Sequence, residues 1–326
     1  MKHNETVKVG IIGVGAIGES MTKVFSQHPL TEVVAVCDIV EELAAQRAAD
    51  LGNVYWTTNY KELLELQGID MIYVAVPPAH HYSIVMDVLE AKKHVLCEKP
   101  LANSLEEAEK MLSKARISGV VNAVHYPLSY INNIKMLTSL MKDGYLGKVR
   151  RVELEMRFPE WPRKWQVNDW IATREQGGFV FEVAGHFIQI IHQLLGKVNS
   201  VESELEFPED PKACETGIIA KMRLEDGTPI LVNGISQLAG LQEQSISLTI
   251  YGSEGTLALV DLIKLYGGKV GEAYSEIPIE KDESFWDEFI QNLVAAIQGD
   301  TATIIDFEQG YQVQVVLEKL RSPIMK

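Results

Sequence analysis

Cysteine is scarce in this chain, and the little there is does not pair. Cys37, Cys97 and Cys214 are the only three in 326 residues. They are far apart and lack both the C-x-x-C spacing of a zinc site and the even count of a disulfide framework. No metal site is therefore expected, and a reduced, cytoplasmic setting is. Positive charge is also short, with 30 Lys and Arg against 45 Asp and Glu and a net charge of −15. Phosphate backbones repel such a surface, and no Lys/Arg cluster offsets the repulsion locally, so nucleic acid is excluded as a partner. No apolar run is long enough to span a bilayer, and the polar stretch Met1 to Thr6 leaves no room for a signal peptide before the first apolar run. Internal repeats and low-complexity segments are absent as well. What remains is 46% hydrophobic and 23% charged, the balance of an ordinary soluble globular chain, at a length that points to two domains.

The most informative stretch runs from Val7 to Asp38. Val7, Val9, Ile11 and Ile12 form a short apolar run, followed by Gly13-Val14-Gly15-Ala16-Ile17-Gly18, a G-x-G-x-x-G sequence, and then by a helical segment. A second apolar run, Val33 to Val36, stops at Asp38, which lies 20 residues past Gly18. Strand, glycine turn, helix, strand and terminal acid at this spacing predict a dinucleotide-binding βαβ unit. Gly13 permits the tight turn, Gly15 lets backbone N–H groups approach a pyrophosphate, and Gly18 lets the helix lie close to the strand. Ala16 and Ile17 within the turn are expected beside the cofactor, Ser20 to Phe25 lead on with helical character, and the helix N-terminus carries partial positive charge towards the phosphates. Asp38 accepts hydrogen bonds from a ribose. The next residue, Ile39, is not the Arg or Ser that would suit a 2′-phosphate, which favours NAD over NADP.

The alternation of strand and helix continues. Helices are expected over Glu41 to Leu51, Tyr60 to Leu66, Tyr82 to Ala91 and Ser104 to Ile117, the last opened by the capping box Ser104-Leu105-Glu106-Glu107. Strands are expected at Met71 to Val76, His94 to Cys97 and Val120 to Val124. Their unbroken apolar character is that of a parallel sheet covered on both faces. From Lys148 the period changes: Val152, Leu154, Met156 and Phe158 alternate with Glu153, Glu155 and Arg157. Val201 to Phe207, Ile218 to Leu224, Ile230 to Ile235 and Ile246 to Ile250 continue in the same manner, and helices are expected over Phe285 to Gln298 and Phe307 to Leu320. The fold class predicted is α/β: a doubly wound parallel sheet in residues 1–124, then an α+β domain with a large, open, mostly antiparallel sheet in residues 125–326. Pro127 to Lys142 reads as a bridging helix, and the last helix is a candidate to pack back on the first domain. The open sheet face, taken as apolar, suggests self-association.

Two constellations carry chemistry. Glu98-Lys99-Pro100 follows a strand, and Pro100 restricts Lys99 to extended backbone, so in a doubly wound sheet the lysine is aimed at the nicotinamide end of the cofactor. Oxidising an alcohol removes a hydride from carbon and a proton from oxygen, and a lysine can take the second. In Gly177-Gly178-Phe179-Val180-Phe181-Glu182-Val183-Ala184-Gly185-His186, a helix would place Glu182 and His186 four apart on one face, where the carboxylate orients the imidazole. A solvated strand-end lysine and a surface Glu/His pair are the plainer readings of the same residues.

Together with Val76-Pro77-Pro78-Ala79-His80-His81 and Lys93 to Pro100, the glycine motif and the segment to His186 make nearly the whole chain resemble the glucose-fructose oxidoreductase/inositol dehydrogenase/MocA group. That resemblance implies a Rossmann domain, an open-sheet C-terminal domain, and NAD(P)-dependent oxidation or reduction of sugars, polyols and related hydroxy compounds. It implies Lys99 as acid/base, His186 as principal or partner base, Glu98 near the nicotinamide ribose, and a homodimer or homotetramer. Val76, Pro77 and His81 are expected beside the cofactor, and Tyr126, Trp165 and Arg174 beside the substrate. Trp161-Pro162-Arg163-Lys164-Trp165 either forms a lid that stacks on a sugar ring, with Arg163 or Arg174 holding an anionic or hydroxyl group, or packs a long loop. The group usually has Asp at Glu182 and often Gly at Phe179. The rival readings are redox-neutral, NAD-using glycosidase-type chemistry and a non-catalytic NAD-sensing regulator.

Overall fold

Short, uniformly apolar strands separated by helices build the first sheet of the computed structural model, which describes residues 6–166, 168–280 and 285–322. In order, the elements are β1 (Val7–Ile12), α1 (Ala16–Gln27), β2 (Thr31–Cys37), α2 (Glu41–Asp50), β3 (Tyr55–Thr57), α3 (Tyr60–Glu65), β4 (Met71–Val74), α4 (His81–Glu90), β5 (His94–Cys97), α5 (Leu105–Ser118) and β6 (Asn122–Val124). The sheet order is β3-β2-β1-β4-β5-β6, parallel throughout. Every residue of β4 is buried, because both faces of such a sheet are covered. The strand ends are in register: Ile12 lies opposite Cys37 and Val74, Val74 opposite Cys97, and Cys97 opposite Val124. The residue after each strand therefore falls on one carboxyl edge, which assembles Gly13, Asp38, Ala75, Glu98 and His125. The order in which successive strands are added reverses between β1 and β4, the switch point at which such sheets open a crevice.

The second sheet obeys the other period. Its elements are α6 (Asn132–Lys142), β7 (Val149–Arg157), a π-helical turn at Val180–Ala184, α7 (Gly185–Leu195), β8 (Val198–Glu206), β9 (Gly217–Leu224), β10 (Pro229–Ile235), β11 (Ser245–Gly252), β12 (Gly255–Val260), β13 (Lys264–Lys269) and β14 (Ser275–Ile277). Their order is β14-β13-β12-β11-β7-β10-β9-β8. Among the described residues β7 with β10 is the one parallel pair of this sheet, and its other pairs are antiparallel. Val152, Leu154 and Met156 of β7 are buried, as are Ile218, Ala220, Met222 and Leu224 of β9.

The other face corrects an expectation. It is mixed rather than uniformly apolar: ion pairs Arg151–Glu153 at 2.8 Å and Arg157–Glu155 at 3.1 Å on β7 and exposed Lys221 and Arg223 on β9 share it with exposed Ile219 and Leu231. The polar half of the alternation is the half that faces out.

Two further helices, α8 (Phe285–Gln298) and α9 (Phe307–Arg321), close the chain. The segment between them and the first turn of α9 cover the β6 edge. The Val124 N–H donates to the Ile305 carbonyl at 2.8 Å, and the Phe307 N–H to Asn122 Oδ1 at 2.9 Å. Arg116 pairs with Glu308, and Gly310 packs so tightly on β6 that a Cβ there would lie 2.6 Å from Val124 Cγ2. The compact units are accordingly Met1–Pro127 with Glu283–Gln314, and Leu128–Asp282 with Val315–Lys326. The stretch expected as one bridging helix is instead a 3₁₀ turn at Pro127–Tyr130 followed by α6.

Candidate active site

The glycine turn after β1 has three glycines for three different reasons. Gly13 has φ +89°, and a Cβ on it would meet the Ala75 carbonyl oxygen at 2.5 Å. On Gly18 a Cβ would lie 2.0 Å from the Gly13 carbonyl oxygen, so only glycine lets α1 start this close to the strand. Gly15 would meet nothing within 4 Å. It faces open space, where an added side chain would stand between the backbone and an approaching ligand. Gly15 is also the N-cap of α1, with no side-chain cap, so the first-turn N–H groups remain for a ligand to bind. Gly15, Ala16 and Ile17 are exposed.

Asp38 closes the same edge. Its Oδ2 accepts from the Val14 N–H at 2.9 Å and its Oδ1 from the Val40 N–H at 3.0 Å, which fixes the carboxylate beside the glycine turn. Ile39 is 89% exposed and offers no charge. An open backbone cradle, an uncapped helix N-terminus and a fixed carboxylate at the ribose position fit a dinucleotide.

Further along the edge, Glu98 and Lys99 follow β5. Glu98 is buried, and its Oε1 accepts from Tyr73 and, at 2.5 Å, from His125 Nδ1. Its Oε2 accepts from the Lys99 N–H at 3.3 Å. Burial pushes the Glu98 carboxyl up, but the Coulombic pull of His125 and the hydrogen bonds from His125 and Tyr73 outweigh it and hold the group at about 2. The Tyr73 hydroxyl is pushed well above its ordinary value by burial and by the Glu98 charge, which keeps it a donor. The His125 ring stacks on Trp286 and meets Phe289, with centroids at 5.8 and 5.2 Å. Lys99 is half-buried beside this network, and the Lys99–Pro100 peptide is cis.

His81, expected to line the cofactor, is fully buried. Its ring nitrogens lie 2.9 Å from the Pro100 carbonyl and 2.8 Å from that of Val76. It ties the turn after β4, where Val76 and Pro77 are half-buried, to the turn after β5. Burial lowers its pKa, with the two carbonyls opposing. Tyr126, expected at the substrate, is 1% exposed and presents no accessible face. The three cysteines are buried, and burial pushes the thiols of Cys37 and Cys214 up to about 12, which makes them poor nucleophiles.

In the second unit, Gly177 and Gly178 are required by close backbone packing. A Cβ on Gly177 would lie 2.2 Å from the Ile171 carbonyl oxygen, and one on Gly178, with φ +96°, 2.3 Å from Glu215 Oε2. Glu215 is a buried carboxyl that accepts from the Val180 N–H at 2.8 Å and so anchors the start of the π turn. Burial raises its pKa. Glu182 lies in the π turn, buried, and His186 stands at the start of α7, half-buried. Their four-residue spacing thus crosses the junction of a wide turn and a normal one, a local geometry frequent at functional sites.

Arg174 is engaged with the protein itself: it is exposed, its guanidinium lies 3.7 Å from the Phe207 ring centroid, and its Nε donates to the Ala213 carbonyl at 3.3 Å. Trp165 is 62% exposed. Trp161 and Phe179 are buried against Phe158, with centroids 5.1 and 5.4 Å from it. Phe179 fits because position 234 is glycine, where a Cβ would meet Phe179 Cε2 at 2.6 Å.

Sequence reasoning did not find the Tyr73–Glu98–His125 network as a unit, nor Glu215. Tyr73 is hidden within an apolar run, and Glu98 and His125 are brought together only by the pairing of β5 with β6.

Comparison with known proteins also gives two parts, the second of which takes in α8 and α9. Residues 7–126 match the GFO_IDH_MocA model, described as "Oxidoreductase family, NAD-binding Rossmann fold", and residues 138–322 match its partner, "Oxidoreductase family, C-terminal alpha/beta domain". The glucose-6-phosphate 3-dehydrogenase of Bacillus subtilis (strain 168) is 24% identical across 95% of this chain and 94% of its own. The 2,7-anhydro-N-acetylneuraminate hydratase of Escherichia coli (strain K12) is 25% identical across 58% of this chain and 48% of its own. The chain spans about half the length of that relative and of others that it matches. In fold it is like levoglucosan dehydrogenase in complex with NADH, with a TM-score of 0.85, 18% identity, and coverage of 97% of this chain and 96% of that one.

Proposed function

The chain belongs to the Gfo/Idh/MocA family of oxidoreductases, and from that premise we propose that it is an NAD-dependent dehydrogenase of a secondary alcohol on a sugar, polyol or related hydroxy compound. The observation that carries this reading is the single carboxyl edge holding the open Gly15 cradle, the fixed Asp38 carboxylate and the Glu98–Lys99 pair. The α1 N-terminal N–H groups hold the pyrophosphate and Asp38 bonds the adenosine ribose. Asp38 also repels a 2′-phosphate that Ile39 cannot compensate, hence NAD rather than NADP. When bound, the nicotinamide supplies the hydride acceptor. Lys99 and His186 serve as the acid/base pair for the hydroxyl proton, and Glu182 steadies the imidazole. Glu98, locked by Tyr73 and His125, fixes the backbone from which Lys99 extends. Trp165 offers its exposed face to a sugar ring. The protein works in the cytoplasm as a homodimer or homotetramer, which light scattering on the purified chain tests.

The test is a screen of sugars, polyols and their acids with NAD and with NADP, following absorbance of the reduced cofactor. Oxidation with NAD preferred is expected, and a preference for NADP would overturn the role given to Asp38. Lys99→Ala is expected to retain NAD affinity and lose about 10²- to 10⁴-fold in kcat, and His186→Ala to impair turnover similarly. Unchanged turnover on the accepted substrate removes the residue concerned from the mechanism. A second reading, redox-neutral chemistry through transient oxidation, is favoured by the relative named as a hydratase. Its signature is cofactor retained through purification and substrate conversion without net release of NADH.

A further inference from the structure

Arg163 has an unusual setting for a charged side chain. Its guanidinium lies over three rings, 5.3 Å from the centroids of Phe158 and Trp161 and 5.7 Å from that of Trp165. Among the described residues the guanidinium has no hydrogen bond and no ion pair, and its Nε is buried without a partner. Arginines withdrawn from water are normally paired, because an uncompensated charge is costly to desolvate.

Aromatic faces answer only part of that need. They attract the cation through their π-clouds, yet the five N–H donors lie in the guanidinium plane and are not satisfied by contacts above or below it. Glu182 is the one charged group felt by Arg163 at longer range, and burial weakens the hold of the guanidinium on its proton. A desolvated, planar donor fork without an acceptor matches the geometry of a carboxylate or phosphate.

The cage is a built feature. Phe179, at a position where the resembling group often has glycine, packs with Phe158 and Trp161 beneath the arginine, and Gly234 is cut back to admit it. Arg174, the other arginine considered for an anion, and Arg321 are both committed to the protein. Arg174 lies on Phe207 and donates to Ala213, and Arg321 lies on Phe181 and donates to the carbonyls of Arg174 and Glu175.

We propose that Arg163 is a specificity-determining residue that grips an anionic substituent, carboxylate or phosphate, of the sugar or polyol substrate, with the exposed face of Trp165 as the platform for the ring. The preferred substrates are therefore sugar acids or sugar phosphates rather than neutral sugars. This deepens the dehydrogenase reading and rests on it for the identity of the substrate site.

The test is calorimetric titration of the full-length protein, saturated with NADH, with D-glucuronate, D-glucose 6-phosphate and D-glucose, alongside absorbance assays of the same three with NAD. One of the two anions is expected to bind about tenfold to a hundredfold more tightly than glucose, the gain of a charge-assisted hydrogen-bond pair. Which anion it is separates the carboxylate source from the phosphate source. Arg163→Met, checked for folding by circular dichroism, is expected to erase the preference, and Arg163→Lys to keep part of it, as a point charge without the fork. Equal affinity for charged and neutral ligands, no binding of either anion, or a preference that survives Arg163→Met overturns the proposal, and the first two outcomes need no variant. Anion binding that depends on Arg163 without any cofactor reduction would uphold the subsite and overturn the dehydrogenase reading. Oxidation with no charge preference would do the reverse.

Discussion

The two units place their functional groups by different physical means. In the first, position follows from backbone: parallel strands in register deliver Gly13, Asp38, Glu98 and His125 to one edge, and the glycines are set by carbonyl oxygens that no side chain could approach. In the second, position follows from side-chain packing. Arg163 is held by three aromatic rings, Phe179 by the missing side chain of Gly234, and the turn before Glu182 by the carboxylate of Glu215. Backbone-built sites tolerate little change and serve one kind of ligand. Packing-built sites are retuned by single substitutions, which suits the substrate-distinguishing role proposed for this unit.

The sharpest way to break this comparison is at the glycines. Gly18→Ala forces a methyl group to within 2.0 Å of a backbone oxygen and is expected to cost at least about 3 kcal/mol, the upper end of overpacking, with loss of NADH binding. Gly15→Ala meets open space and should leave the thermal midpoint nearly unchanged while weakening NADH binding, measured by fluorescence titration. Equal destabilisation by both would mean that the turn is not set by backbone contact.

Next in size is the packed side. Gly234→Ala drives a methyl group into Phe179 at 2.6 Å and should cost about 1–3 kcal/mol in denaturant unfolding. Combining it with Phe179→Leu should recover part of that loss, giving a non-additive cycle.

A smaller effect comes from pH. The folded-state pKa of Glu98 is depressed to about 2, so its contribution to stability is present above the ordinary glutamate pKa and is lost as the pH falls from about 4.5 towards 2. Glu98→Gln should flatten the thermal midpoint in that window relative to the native chain. The smallest effect is expected from thiol reagents at neutral pH. With Cys37 and Cys214 pushed up to about 12 and Cys97 buried, iodoacetamide should leave the native protein unlabelled by mass spectrometry.

What the sequence made legible follows the same division. The βαβ unit, the strand-end acid and the change from continuous to alternating apolar pattern were readable, because each depends on neighbours close in the chain. The β12–β14 meander escaped notice because β13 carries Gly267 and Gly268 and β14 is three residues long. The apolar character assigned to the open face ignored the alternating Glu153, Glu155 and Arg157, which were themselves visible. The Tyr73–Glu98–His125 network was not legible, because those residues meet only after strands pair; the rings around Arg163 are close in the chain, but their packing on Phe179 and Gly234 is set by how the loop folds. The π turn left no trace in the residue pattern, since its register depends on the Glu215 anchor.

The returning C-terminal segment has a consequence for biogenesis. Ribosomes would release all six strands of the parallel sheet before making the residues that supply Ile305 and Gly310. Until then the amide of Val124 at the outermost strand waits, unsealed, while the second sheet is translated. Domain-by-domain vectorial folding is thus denied to the nucleotide-binding half, which reaches its finished state only after the whole second sheet has been made.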